Sequence, residues 1–571
     1  MPLTWKETRP GRWERPQSCL EKFNLLNRNV GKALDRDQWA KTAVAKVEFD
    51  PKLGDPEEAL KSAWKQVRYN YPEVAAFPYD GNYMYRIGNP EQVQLWVSAT
   101  FVVERNSTID ELFGHLPRNE QMMCYYLPDT SEILVRSPHY RLDARGAIFI
   151  LNYLIKSLAN PEPILIFGGC ADNLSPSIDD ALTIPYEYTP KIEEAATQRL
   201  ASLTPHNPLI ELTPTAKSHL PGATKRRFLK FSDAETKAIL KGVKSAGMNQ
   251  TAAMHAALIT AVTRIAPPSE VQSYMASFHC DLRYLIPKSS KTKAAPTTCT
   301  SLITTEVEVS PTTELKSYYK QLAPVYATGY APYIESTACF HEKLAKATYP
   351  DGKSVGGEDG DAQPRLGPLG VIDDQLTKQV KGVVKVKDFW LGGETLTKRK
   401  MVHNWIWEDQ MVFSCCYNEN FWEDEFVEGL LGTIREVLME EVAKVGGSAV
   451  GSLSILLAGS IQRIPRRAFR RVGDQDVDFP GAAPGEGFVY ETGYRGEGAG
   501  VCLYGDGVRG ADFPNEGVGE GGAGGVVYHD FGAEGGEVEG GGGADAAGGA
   551  GYEGEFSEEG GGLGGHGEVW W

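Results

Sequence analysis

No apolar run in this chain is long enough to cross a bilayer: Ala147 to Leu158 is interrupted by Asn152 and Lys156, and Ser452 to Ile461 is short. A transmembrane segment is therefore not expected. Met1 to Pro10 has no apolar stretch behind its basic residues, so a cleaved secretory signal is not expected either. The nine cysteines never fall in C-x-x-C spacing, and Cys415 and Cys416 are adjacent. This is the pattern of reduced thiols in a cytoplasmic protein, not of a disulfide framework or a zinc site, and no metal is expected. No G-x-S-x-G elbow is present, which leaves a serine hydrolase without support.

Basic clustering is also scarce. The formal charge of the 571 residues is −17, but residues 446–571 hold 20 acidic residues against 7 arginines, a difference of −13, so −4 remains for residues 1–445. A balanced body and an acidic tail do not make a phosphate-binding face, and nucleic acid is excluded as a partner. The short run Arg463 to Arg471 reads as a solvated linker. Lys444 is the last lysine, and 38 of the 62 glycines lie beyond Val445. So much glycine with so few large apolar side chains cannot offset the entropy of ordering, so the acidic Gly-rich tail at 446–571 is expected to be mostly disordered. Its arginine without lysine also raises the alternative of a gene-model artefact, which an intact-mass measurement decides.

The rest of the chain mixes helix and strand patterns. Pro56 to Tyr69 has the acidic start and basic end of a helix; Gln92 to Glu104 and Glu132 to Val135 are rich in β-branched and aromatic residues and read as strands. Prolines 205, 208, 214 and 221 mark a crossover over 196–225, dividing a lobe at 1–195 from one at 226–445. In the second lobe Asp233 to Ala246 and Asn249 to Ile265 read as helices. Ser273 to Cys280, Thr300 to Val309 and Met401 to Tyr417 read as strands, and Phe421 to Val445 as a closing amphipathic helix. The fold class is α/β (α+β): two lobes with mixed sheets flanked by helices.

One turn carries chemistry. Of the ten histidines, His139 alone has an aspartate four residues on, Asp143. Pro138 stops the preceding strand, and Asp143 is placed to cap a helix with apolar face Ile148, Leu151, Ile155 and Leu158. A histidine at such a turn can accept a proton from a hydroxyl or amine; equally, Asp143 can be a plain N-cap and His139 an ordinary turn residue. His255 and His279 read as core or turn residues, and Asp351 to Ser354 as a surface turn lacking the upstream glycine of a P-loop.

Further motifs connect this turn to a known group. His139-Tyr-Arg-Leu-Asp143 resembles the HxxxD signature of the acyltransferase superfamily that includes BAHD acyltransferases, chloramphenicol acetyltransferase and peptide-synthetase condensation domains. Asp388-Phe-Trp-Leu-Gly-Gly393 resembles its second signature, DFGWG, and Cys280-Asp-Leu-Arg283 its D-x-R segment. Ala63 to Pro72 is similar to its first helix. Within the superfamily the chain looks most like fungal trichothecene O-acetyltransferase-like enzymes, over residues 1 to about 445. Two departures are Ala144, where many members carry glycine, and the wording DFWLGG.

The resemblance implies two chloramphenicol-acetyltransferase-like lobes with a tunnel between them, acetyl-CoA (acyl-CoA) as co-substrate with no permanently bound cofactor, and a small hydroxylated metabolite as acceptor. It implies a monomer with His139 as general base and no covalent acyl-enzyme. Asp143 is then a structural partner paired with Arg283, and Asp388 braces its own loop outside the tunnel. Thr298, Thr300 and Ser301 are hydroxyl candidates for the oxyanion donor, with plain strand roles favoured and backbone amides as alternatives. The competing functions are a carrier-protein-dependent condensation-type enzyme and a non-catalytic scaffold retaining the fold.

Overall fold

The computed structural model describes residues 3–444 apart from 163, 216, 289–295 and 350–361. The expectations for the Gly-rich tail, Arg463 to Arg471 and Asp351 to Ser354 lie outside the described residues. Helices form where apolar spacing and caps agree. Asp55 accepts from the Glu57 amide, Pro56 occupies the first turn, and Leu60, Ala63, Trp64 and Val67 are the buried face of Pro56–Asn70. Ser232 and Glu235 cap each other reciprocally at Asp233–Ser245, and Gln250–Ile265 is buried along most of its length.

Gln92 to Glu104 departs from the expected strand. It folds as the helix Pro90–Thr100 followed by the short strand Phe101–Val103. The Asn89 side chain accepts from the Gln92 amide, and the Gln92 side chain accepts from the Asn89 amide. That local capping outweighs β-propensity, and Val93, Trp96, Val97 and Thr100 become the buried helical stripe.

A six-stranded sheet runs Gln379–Val380, Val384–Gly393, Lys41–Phe49, Glu132–Ser137, Met123–Leu127, Phe101–Val103. The second of these strands lies far along the chain, yet it pairs antiparallel with Lys41–Phe49, setting Trp390 opposite Val44 and Gly393 opposite Lys41. Asp388 to Gly393 is therefore a strand of the first half's sheet, whereas the sequence placed it as a loop of the second lobe. The pairing covers an edge of Lys41–Phe49 that would otherwise present unpaired amides and carbonyls, and it buries Phe389, Trp390 and Leu391. Gly392 permits the approach, since a Cβ there would stand 2.8 Å from Cζ of Phe113.

In the second half a four-stranded sheet runs Pro364–Val371, Lys400–Trp407, Gln410–Asn418, Thr224–Lys230, and Gln272–Asp281 pairs antiparallel with Thr300–Val309. The run Met401 to Tyr417 is thus a hairpin of two strands, turned at Glu408 and Asp409, both with positive φ. One core gathers around Val44, Trp64, Leu134 and Ile148, and another around Leu258, Tyr274, Leu366 and Leu430. Trp405 and Trp407 of the hairpin belong to the first core, where the Phe389 ring lies 5.9 Å from that of Trp405. The halves therefore share packing. Among the described residues no helix is long and apolar enough to cross a membrane.

Truncating a side chain of the strand Val384–Gly393 tests this shared core. Leu391→Ala is expected to cost about 2–5 kcal/mol in denaturant unfolding, as cavity-forming substitutions at fully buried leucines do; a loss below about 0.5 kcal/mol, the scale of surface substitutions, would contradict the placement.

Candidate active site

The site grows from the turn between Glu132–Ser137 and the helix Ala144–Ser157. Pro138 ends the strand, and its carbonyl accepts from the Arg141 and Leu142 amides, closing the turn. Tyr140 and Leu142 are fully buried and anchor it on either side of Arg141. Asp143 has extended backbone, and its Oδ1 accepts from the Gly146 amide at 2.9 Å, which makes it the N-cap. Ala144 is the first helical residue and has no positive φ, so glycine is not required there.

Asp143 does more than cap. Arg283 grips it bidentately, Nη2 to Oδ1 at 2.9 Å and Nη1 to Oδ2 at 3.0 Å. Oδ2 also accepts from the Cys299 amide at 2.8 Å and from the Thr300 hydroxyl at 2.9 Å. Arg283 in turn donates to Asp281 and to the Thr297 carbonyl. Burial works against ionisation of Asp143, but Arg283 and these donors outweigh it and hold the carboxyl below the usual range. The first half's turn is thereby tied to the second half's Gln272–Asp281 and Thr300–Val309 strands.

No hydrogen bond joins Asp143 to the His139 ring. Instead Nδ1 of His139 lies 3.3 Å from the Leu142 carbonyl, an acceptor only, so Nδ1 carries the proton and Nε2 the lone pair. Desolvation first, and then the Lys41 ammonium, push the imidazole pKa well below its ordinary value, against the opposing pull of Asp143. The ring is half-buried and lines a cavity of about 490 Å³. Trp39 and Lys41 from the first half, and Ser277, His279 and His341 from the second, share that lining. Among the described residues the walls include Lys41, Arg365 and Arg399 but no Asp or Glu.

Not every expected residue is brought together. His139, Asp143 and Arg283 converge. Thr300 and Ser301 line the cavity, but each hydroxyl proton is already committed, Thr300 to Asp143 and Ser301 to the Tyr330 hydroxyl at 2.7 Å. Thr298 is buried away from the lining. Asp388 is exposed, accepts from the Phe389 amide at 3.0 Å and faces Lys230 at 3.8 Å. It sits at a register shift of the crossover strand, not in a loop, and outside the cavity wall. His255 is a core residue, with Nδ1 3.1 Å from the Tyr326 hydroxyl. His279, by contrast, reaches the cavity, and among the described residues its Nε2 has no hydrogen-bond partner. Lys41, Trp39 and His341 escaped the sequence reading; the one signal was a lysine directly before the small and apolar run Thr42-Ala-Val-Ala45.

The chain is 25% identical over 464 residues to O-acetyltransferase pigM of Monascus ruber, covering 77% of this chain and 88% of that protein. It is 27% identical over 464 residues to acetyltransferase pigO of the same organism, covering 77% and 98%. Its fold superposes on that of TRI3 trichothecene 15-O-acetyltransferase from Fusarium sporotrichioides with a TM-score of 0.63 at 16% identity, covering 77% of this chain and 99% of that one. No family model matches. Over most of its length the chain is thus similar to acetyltransferases, and it shares the fold of the trichothecene acetyltransferase. The described residues hold the two-lobed fold, with His139 on the wall of the cavity that the two halves line.

The Asp143–Arg283 pair generates a test. Arg283→Ala leaves a buried, uncompensated carboxylate and is expected to destabilise by about 3–5 kcal/mol in chemical denaturation. Arg283→Lys, which lacks the fork, is expected to recover only part of that. Wild-type stability in Arg283→Ala would rule out the pairing.

Proposed function

We propose that the chain is an acyl-CoA-dependent O-acyltransferase that moves an acetyl group to a hydroxyl of a small secondary metabolite, such as a trichothecene-type sesquiterpenoid. The observation that carries this reading is the unprotonated Nε2 of His139 at the wall of a cavity large enough for two small reactants. The acetyl donor and the metabolite class are drawn from what the similar proteins are named for. Nε2 takes the acceptor's hydroxyl proton as its oxygen attacks the thioester carbonyl, and returns that proton to the departing CoA thiolate. No bond from enzyme to acyl group is needed. Asp143 and Arg283 act by holding the turn, because they bond to each other, to backbone and to Thr300 and Asp281, and no hydrogen bond joins Asp143 to the imidazole.

Purified protein mixed with acetyl-CoA and a panel of hydroxylated sesquiterpenoids and other hydroxylated metabolites is expected to release CoA thiol only with an acceptor. His139→Ala is expected to lower that rate by about 10²–10⁴ with folding intact. Thiol release unchanged in His139→Ala would remove the base from the mechanism.

The pH dependence has a definite sign. A base works in its neutral form, and a pKa depressed below the ordinary value of about 6.5 moves the acid limb downward. kcat/KM is therefore expected to stay level between about pH 7 and pH 5.5. A fall by half near about pH 6.5 would show an unperturbed imidazole.

A further inference from the structure

The candidate hydroxyls leave the negative charge of acyl transfer without a donor, and Lys41 is a cationic group on the same cavity wall. Lys41 opens the central strand of the first half's sheet, opposite Ser137 on one side and Gly393 on the other. It is 5% exposed and lines the same cavity as His139, two residues beyond its partner Ser137. Among the described residues its ammonium has no hydrogen bond or ion pair, and its one cation contact is the Trp39 ring at 5.8 Å. Asp143, which adds to its field, is already bound by Arg283, Gly146, Cys299 and Thr300.

An ammonium that faces the cavity without a partner among the described residues is open to an anionic group there, and it also opposes formation of the imidazolium of a base on the same wall. That opposition is relieved if an anion forms in the cavity in the same step. Burial lowers the Lys41 pKa to about 8, which still leaves it mostly charged near neutrality. Arg365 is less suited, since it donates to the Met275 carbonyl and the Ser277 hydroxyl.

We propose that the Lys41 ammonium is the oxyanion donor, binding the thioester carbonyl oxygen as the acceptor hydroxyl adds to it. This rests on the acyltransferase reading above. The acceptor O–C bond forms as the carbonyl π pair moves onto oxygen beside Nζ, and the hydroxyl proton passes to Nε2 of His139. The oxygen pair then re-forms the carbonyl, the C–S bond breaks, and the thiolate takes the proton from the imidazolium. Lys41 keeps its own proton throughout, so the charge it meets exists only between attack and collapse, where binding accelerates the reaction.

The test pairs two CoA thioethers that differ in charge where the acetyl group would lie: S-carboxymethyl-CoA, which places an anion there, and its neutral twin S-carbamoylmethyl-CoA. Calorimetry on the full chain is expected to find the anionic probe bound at least about tenfold more tightly, with the preference lost in Lys41→Met and Lys41→Gln. With an active alcohol, Lys41→Met is expected to lower kcat by about 10²–10³ while the KM of each substrate moves by less than about threefold. Removing an unpaired buried charge should not lower the unfolding midpoint, and Lys41→Gln serves if Lys41→Met misfolds. Equal binding of the two probes, a preference that survives both substitutions, or a loss confined to KM would each overturn the assignment while leaving the acyltransferase reading in place. If neither probe binds, the CoA reading falls and the assignment with it.

Discussion

A carboxylate and a guanidinium buried together decide the geometry of this protein's cavity. Asp143 and Arg283 come from opposite halves of the chain, 140 residues apart, and meet in a fork geometry almost out of solvent. A pair of this kind adds little net stability over an apolar replacement, because desolvation consumes most of the Coulombic gain. What it fixes is position. Arg283 cannot move without stranding Asp143, and Asp143 cannot move without unwinding the first turn of the helix it caps. The amide of Cys299 and the hydroxyl of Thr300 lock the same carboxylate to the second half.

From that constraint the state of His139 follows. Its turn is closed by Pro138 and held by two buried neighbours, its Nδ1 proton is directed at a backbone carbonyl, and Nε2 is left as an acceptor. The environment is hostile to imidazolium: desolvation, the Lys41 ammonium, and, among the described residues, no carboxylate on the cavity wall. Such a site favours a neutral ring at rest and rewards protonation only when a negative charge is created alongside. That is the condition for stabilisation made in the transition state rather than in the ground state.

The sequence revealed this turn because its logic is local: proline, histidine, capping aspartate and a helical apolar stripe lie within a score of residues. Arg283 was reached through family resemblance, since nothing in its own neighbourhood announces a partner so far away. Where local signals conflicted, the reading failed at Gln92 to Glu104, whose β-branched and aromatic residues masked the Asn89–Gln92 capping box. Asp388 to Gly393 was read as a loop, and neither its strand nor its sheet was legible, because the pairing with Lys41–Phe49 is set by a distant unsatisfied edge. Lys41 was hidden for the same reason. On paper it begins a strand, and only the folded arrangement shows its ammonium in the cavity beside the histidine.

The central claim is that the fold holds one imidazole neutral, with its lone pair at Nε2. Nitrogen-15 NMR of the His139 ring, assigned against a His139→Gln spectrum, reads this directly. The account predicts a Nδ1-protonated ring with bare Nε2 that does not titrate between about pH 8 and pH 5.5. A ring that gains its second proton near the ordinary value of about 6.5, or that carries its proton on Nε2, would contradict it.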